Sequence, residues 1–246
     1  MPFLGRENYP TFGTVASAAL MTVLVPFSPA QQPFRLAPLA QGRPPTESTT
    51  AIERAVIVEG AGFQAVRVTF APGAAVTPPP QGYDVAIVPL DGTLSAEVDG
   101  KAVDWRTGVV VLIPRGAPHR VRNTSAAPAT FISVRRLADA TINAPPIPKT
   151  ASVTVVRSAE SKYVRATTLR FERGGELHGV GDRERGPSLF VLTADAQIRM
   201  TIASTVDEPG HKRAGTVWLF KPGMAFGLTN TGSTAVEIVR VSAPER

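Results

Sequence analysis

Gly108-Val109-Val110-Val111-Leu112-Ile113-Pro114-Arg115-Gly116-Ala117-Pro118-His119-Arg120-Val121-Arg122-Asn123 is the stretch that decides the fold, because the chain writes it twice. The second writing is Gly215-Thr216-Val217-Trp218-Leu219-Phe220-Lys221-Pro222-Gly223-Met224-Ala225-Phe226-Gly227-Leu228-Thr229-Asn230. Glycine opens each copy, an apolar run follows, a second glycine turns the chain, and asparagine closes it. Paired positions stand 107 residues apart throughout (108 to 215, 116 to 223, 123 to 230). Glycine supplies the permissive turn conformation, proline a fixed φ, and asparagine a natural turn residue at a strand end. A constant offset across turn residues and apolar positions marks an internal repeat.

Working outward, the surroundings read as strands. Val66, Val68 and Phe70 alternate with Arg67 and Thr69, and Leu94, Ala96 and Val98 alternate with Ser95, Glu97 and Asp99. Asp99-Gly100 before Lys101-Ala102-Val103 is a strong hairpin signal, since both residues tolerate positive φ. The run Val109 to Ile113 is apolar throughout, as in a strand covered on both faces, and Phe131, Ser133 and Arg135 alternate with Ile132 and Val134. The second half keeps this order: Val164 to Phe171 precedes Gly174 as Phe70 precedes Gly73, and Ile198, Met200 and Ile202 alternate. No long amphipathic helix is written anywhere. The fold class is therefore all-β, in two tandem units.

The repeat is similar to the second conserved motif of the cupin superfamily, and the chain resembles a bicupin: two double-stranded β-helix (jelly-roll) barrels preceded by a poorly ordered N-terminal segment. The expected organisation is residues 1–30 as an apolar N-terminal segment, 31–50 as a loose leader, 51–142 as barrel 1, 143–150 as a Pro-rich linker and 151–246 as barrel 2.

In typical cupins a first motif of glycine, two histidines, a glutamate and a second glycine joins the later histidine to grip a divalent metal. Counted from Gly73 and Gly92, the resemblance puts Pro79 and Gln81 in the two histidine slots, Val85 in the glutamate slot and His119 in the last. Asp84 lies one residue from the carboxylate slot, on the opposite face of a strand. In barrel 2 the slots fall on Val180, Asp182, near Pro187, and on Phe226; His178 is two residues short. Imidazole and carboxylate donors are what such ions need, and the set is largely lost. No metal or other cofactor is expected.

What remains is a concave apolar cavity with few polar groups, the usual form of a small-molecule site. The leading reading is metal-independent binding of a small polar organic ligand, a sugar or organic acid, without turnover. Candidate ligand contacts are Gln81, His119, Tyr83 and Arg67 in barrel 1, with His178 and Phe226 in barrel 2. A second reading is an isomerase, epimerase or dioxygenase-like enzyme with His119 as general base, as in metal-free cupins related to sugar-nucleotide epimerases. A third is structural: filled barrels that oligomerise through apolar outer faces at Val109 to Val111 and Val236 to Val239.

A net charge of +6 over 246 residues comes from interspersed Lys and Arg with no basic stripe, which argues against nucleic-acid binding. The lack of cysteine removes disulfides, thiolate sites and thiol nucleophiles. Val15 to Phe27 is apolar but too short for a transmembrane span, and Ser28-Pro29-Ala30 offers a cleavage triplet before Gln31. That reads as a signal peptide and a periplasmic or secreted protein. The alternative is an apolar segment packed on a barrel in a cytoplasmic one. The expected partners are a small-molecule ligand and a second copy of the chain.

Overall fold

Both copies of the repeated stretch fold alike. In the computed structural model, which describes residues 51–137, 147, 150–179, 186–203, 205–206 and 209–244, Gly108 and Gly215 each take φ of 78°, and Gly116 and Gly223 take 79° and 78°. These are left-handed conformations that other residues adopt only under strain, which is why glycine recurs at both places.

The first half supplies β1 (Ile52–Gly60), β2 (Phe63–Phe70), β3 (Ala75–Val76), β4 (Val85–Asp91), β5 (Leu94–Val98), β6 (Lys101–Val103), β7 (Val111–Ile113), β8 (His119–Asn123) and β9 (Ala129–Arg136). The second supplies β10 (Val153–Glu160), β11 (Arg165–Phe171), β12 (Glu176–Gly179), β13 (Ser188–Leu192) and β14 (Ala196–Ile202). It continues with β15 (Thr205–Val206), β16 (Gly210–Lys212), β17 (Val217–Phe220), β18 (Phe226–Asn230) and β19 (Val236–Ser242). Each half is a pair of antiparallel sheets. The first has β1-β2-β9-β4-β7 over β3-β8-β5-β6; the second has β10-β11-β19-β13-β17 over β12-β18-β14-β15, with β16 also on β14. No helix occurs among the described residues, and none there is long and apolar enough to cross a membrane.

The Asp99-Gly100 pair makes the hairpin its composition predicts, with φ of 49° and 73° between the paired Val98 and Lys101. The apolar run at Val109 departs from expectation. A turn closed by Val109 N–H donating to Arg106 O (3.0 Å) holds its first two residues out of the ladder, and β7 begins only at Val111. Residues 1–50, with the signal-peptide and leader expectations, lie outside the described residues, as does all of the 143–150 linker but Ile147 and Thr150.

Strand alternation sorts the apolar residues into an inner and an outer set. Inside the first barrel, Val66, Val68 and Phe70 pack with Phe131 and Trp105, whose rings meet edge to face at 5.4 Å. Inside the second, Phe171, Phe190, Trp218 and Ile238 form the matching core. The outer faces make a third core between the barrels. Ala65, Val134 and Ala86 lie in register across β2, β9 and β4; Ala166, Val241 and Leu189 lie in the same register across β11, β19 and β13, and all six are buried together. The polar contacts repeat as well. Arg67 and Thr168 hold equivalent places, opposite Ile132 and Val239. Arg67 Nη2 donates to Ala214 O (3.1 Å), and Thr168 Oγ1 donates to Gly108 O (2.8 Å), each reaching the glycine turn of the other barrel.

This pseudo-symmetric interface revises the idea of apolar faces left for oligomerisation. Val236 and Val239 are buried, Val110 packs on the inter-barrel core, and Val111 faces into the first barrel. Those two stretches are covered within the chain, whereas Val56 of β1 and Val155 and Val156 of β10 stay exposed.

Asp84 locks the seam. It is 2% exposed and points away from the barrel interior, as strand alternation requires. Its Oδ1 accepts from Arg115 N (2.7 Å), and its Oδ2 accepts from Ser161 Oγ (2.5 Å) and Tyr163 N (3.3 Å) of the second half. Arg136 beside it donates from Nη1 to Tyr163 O. Asp84→Ala takes the acceptor from the Arg115 and Tyr163 amides and leaves Ser161 Oγ with Val164 O alone. It should cost about 2–3 kcal/mol, a loss of roughly 4–12 °C in Tm for a chain of this size. Calorimetry should also show the single transition broaden as the two barrels uncouple; an unchanged Tm would mean that the seam draws nothing from this carboxylate.

Candidate functional site

The inner face of β9 carries Phe131, Ser133 and Arg135 at successive inward positions. Val85 of β4 stands opposite Arg135 and Ile113, and Ile87 opposite Ser133 and Val111. All of these but Val111 wall a cavity of about 110 Å³ in the first barrel. Its polar edge is made by Gln81, Tyr83, His119, Ser133, Arg54 and Arg135. Apolar walls with a few convergent polar groups are the general form of a ligand site.

Three of the sequence candidates therefore meet: Gln81, Tyr83 and His119. His119 opens β8, and its Nδ1 lies 3.3 Å from Ala117 O. A carbonyl can only accept, so the neutral imidazole carries its proton on Nδ1 and keeps a lone pair on Nε2. Gln81 is held at both ends of its amide. Nε2 donates to Pro79 O (2.5 Å), and Oε1 accepts from Tyr83 Oη (2.7 Å).

Three other candidates do not join them. Arg67 alternates with the inward Val66 and Val68, so it faces the second barrel and holds Ala214 there rather than sitting at the cavity mouth. His178 on β12 is solvent-exposed, 66% by its side chain, with Nε2 3.2 Å from Glu176 Oε1. Phe226 is half-buried and packs into the aromatic core of its barrel. Its ring stacks on Phe220 (3.8 Å between centroids, 6° between planes) and meets Phe190 edge-on at 5.4 Å. Gly179, paired with Phe226, makes room for that ring: a Cβ there would lie 2.0 Å from it. Arg240 adds to the filling. In barrel 1 the inward pair on β9 is Ser133 then Arg135; at the equivalent places on β19 it is Arg240 then Ser242, so the long side chain sits deeper. Arg240 is 4% exposed, with Nε donating to Ser188 Oγ (3.2 Å).

Sequence reasoning passed over Arg54 and Arg135. The signal was available, since Arg135 shares an inward alternation with Phe131 and Ser133, and Arg54 falls two residues after the inward Ile52. A search for metal ligands looks past arginine.

A divalent metal of the kind the motif spacing implies does not fit these residues. The cavity lining offers one imidazole and no carboxylate, and the Gln81 amide is committed to Pro79 and Tyr83. Asp84, the nearest acid in sequence, is turned into the inter-barrel seam with three donors already on it. Among the described residues no group of three or more His, Cys, Asp or Glu is placed to hold an ion. Val180 and Asp182, the second-barrel slots, lie outside the described residues.

Comparison with known proteins points in one direction. Residues 66–135 match the family model described as Cupin domain. No curated protein matches the sequence significantly. Among solved structures, AerE from Microcystis aeruginosa aligns with 81% of this chain and 95% of its own, at 10% identity and a TM-score of 0.59. A salicylate 1,2-dioxygenase from Pseudaminobacter salicylatoxidans aligns over 77% of this chain and 76% of its own, at 10% identity and a TM-score of 0.60. A putative glyoxylate-induced protein from Pseudomonas aeruginosa aligns over 80% and 81%, at 15% identity and a TM-score of 0.60. At such identities the likeness concerns the fold alone.

Proposed function

Because this chain belongs to the cupin superfamily, and its first barrel keeps an open, polar-edged cavity where the second is filled, we propose that it is a metal-independent bicupin. In this reading it binds one small polar organic molecule, in the first barrel, without turning it over. The observation that carries the reading is the contrast at one repeated position. His119 borders open space with a free imidazole lone pair, while Phe226 is sandwiched into an aromatic core.

Binding is favoured over turnover by what surrounds His119. A histidine base is helped by a carboxylate on its far nitrogen, which orients the ring and stabilises the imidazolium. Here Nδ1 meets a neutral carbonyl, and the cavity lining contains no acid to take up or return a proton. The dioxygenase among the fold neighbours does not alter this, for the lining lacks the donors that would hold a metal.

A thermal-shift screen of short organic acids, polyols and sugars against the full chain tests the reading. A ligand at about a hundred times its Kd adds about 2.7 kcal/mol to stability, a rise of roughly 5–11 °C in Tm. Dialysis against a chelator should leave both the Tm and the ligand-induced shift unchanged. A Tm that falls on chelation and returns with zinc, iron, manganese or nickel would overturn metal independence.

A further inference from the structure

The cavity edge carries two guanidinium groups and no carboxylate. Arg54, on the edge strand β1 opposite Val68, makes no hydrogen bond or ion pair to another described residue. Arg135 makes one long bond, Nη1 to Gln64 Oε1 at 3.3 Å, and lies 5.6 Å from the centroid of the Tyr83 ring. Most of its five donors are uncommitted. Two cations at the edge of one apolar cavity, with no acid in its lining, produce a field that selects anions and resists neutral or cationic guests. The planar guanidinium fork also matches a carboxylate better than any other small group.

The remaining polar atoms complete the description. Ser133 borders the cavity, and its hydroxyl makes no hydrogen bond to another described residue, so it is open to a ligand. His119 Nε2 is an acceptor without a donor, while Gln81 is already satisfied. The site thus offers charged donors for an anion, one hydroxyl, and one acceptor that calls for an O–H or N–H. Size sets the last limit: at about 110 Å³ the cavity is well below the ~300 Å³ of larger ligand sites. A hexose would stand mostly outside it.

We propose that the first barrel binds a short-chain 2-hydroxycarboxylate, its carboxylate held by Arg54 and Arg135 and its hydroxyl donating to His119 Nε2. The assignment rests on the reading of this cavity as a metal-independent ligand site and narrows it to one chemical class. It leaves the second barrel without a ligand role, since Phe226 and Arg240 occupy the equivalent space.

The test is titration calorimetry on the full chain at low salt with four probes: lactate, propionate, lactamide and glucose. Lactate should bind saturably, about tenfold or more tighter than propionate, which lacks the hydroxyl, and than lactamide, which lacks the charge. Arg54→Gln and Arg135→Gln should each weaken lactate about tenfold and leave the Tm of the unliganded protein unchanged, and His119→Leu should erase the preference for lactate over propionate. Lactamide or glucose binding as tightly as lactate, or lactate affinity surviving the double arginine variant, overturns the carboxylate assignment and leaves the cavity standing as a site. Binding that persists when His119→Phe fills the cavity places the anion elsewhere and overturns it too. If none of the four probes binds, the ligand-site reading falls together with it.

Discussion

Asn123→Ala should lower the stability of this protein by about 3–5 kcal/mol, and Asn230→Ala by a similar amount, each read as a fall in the urea midpoint at unchanged slope. The size follows from what the side chain does. Asn123 is fully buried at the end of β8, and its Nδ2 donates to Phe70 O (3.1 Å), Ala71 O (3.2 Å) and Ala127 O (2.8 Å). Its Oδ1 accepts from Ser125 N (2.9 Å) and Ser125 Oγ (2.8 Å). One amide thus ties the end of β2 to the β8–β9 turn. Asn230 repeats the device: Nδ2 donates to Phe171 O (3.2 Å), Glu172 O (3.2 Å) and Thr234 O (2.8 Å), and Oδ1 accepts from Gly232 N (3.0 Å). Alanine removes every bond at once, and at the buried Phe70 O and Phe171 O it leaves an acceptor short of its donor, so a desolvation cost falls on the folded state besides the lost bonds. Asn123→Asp is the informative control. It keeps the acceptor and loses the donors, so it should be nearly as damaging; a mild effect would mean that Oδ1 alone holds the turn.

The same asparagines show what a sequence can disclose. Their place in a repeat was readable, and so was their fitness for a turn, because both are local properties. That each is fully buried and stitches strands more than fifty residues apart is a tertiary fact with no local trace. Arg67 teaches the same lesson in reverse. Alternation with Val66 and Val68 already turned it away from the barrel interior, so its placement at a cavity mouth ran against a readable pattern. Its partner, Ala214 O, lies 147 residues on and was not readable. For the site, motif spacing carried Gln81 and His119 to the cavity. Tyr83 came with them because it lies two residues from Gln81 and bonds to it. The arginines were missed although Arg135 stands in a visibly inward row, since a fold known for metal ligands directs the eye to histidine and carboxylate.

His119→Phe should abolish ligand binding while leaving the fold intact, and the second barrel supplies the reason. There Phe226 rests on Phe220 and against Phe190. The equivalent neighbours in barrel 1, by strand register, are Ile113, which pairs with Val85 as Phe220 pairs with Ser188, and Ile87, which pairs with Val111 as Phe190 pairs with Trp218. Both isoleucines wall the cavity. A phenyl ring at position 119 would lie over them and occupy the space a ligand needs. Apolar burial of such a ring contributes about 1.5–3 kcal/mol, against about 0.5–1.5 kcal/mol for the lost bond from Nδ1 to Ala117 O, so the unliganded protein should be as stable as before or slightly more so. Affinity should fall at least a hundredfold, about 2.8 kcal/mol, and the ligand-induced rise in Tm should vanish. His119→Ala separates blocking from chemistry: it removes the acceptor but enlarges the cavity, so it should weaken binding less than phenylalanine does. Equal loss in both variants would assign the whole effect to the imidazole. Undiminished binding in His119→Phe would move the ligand out of the barrel altogether.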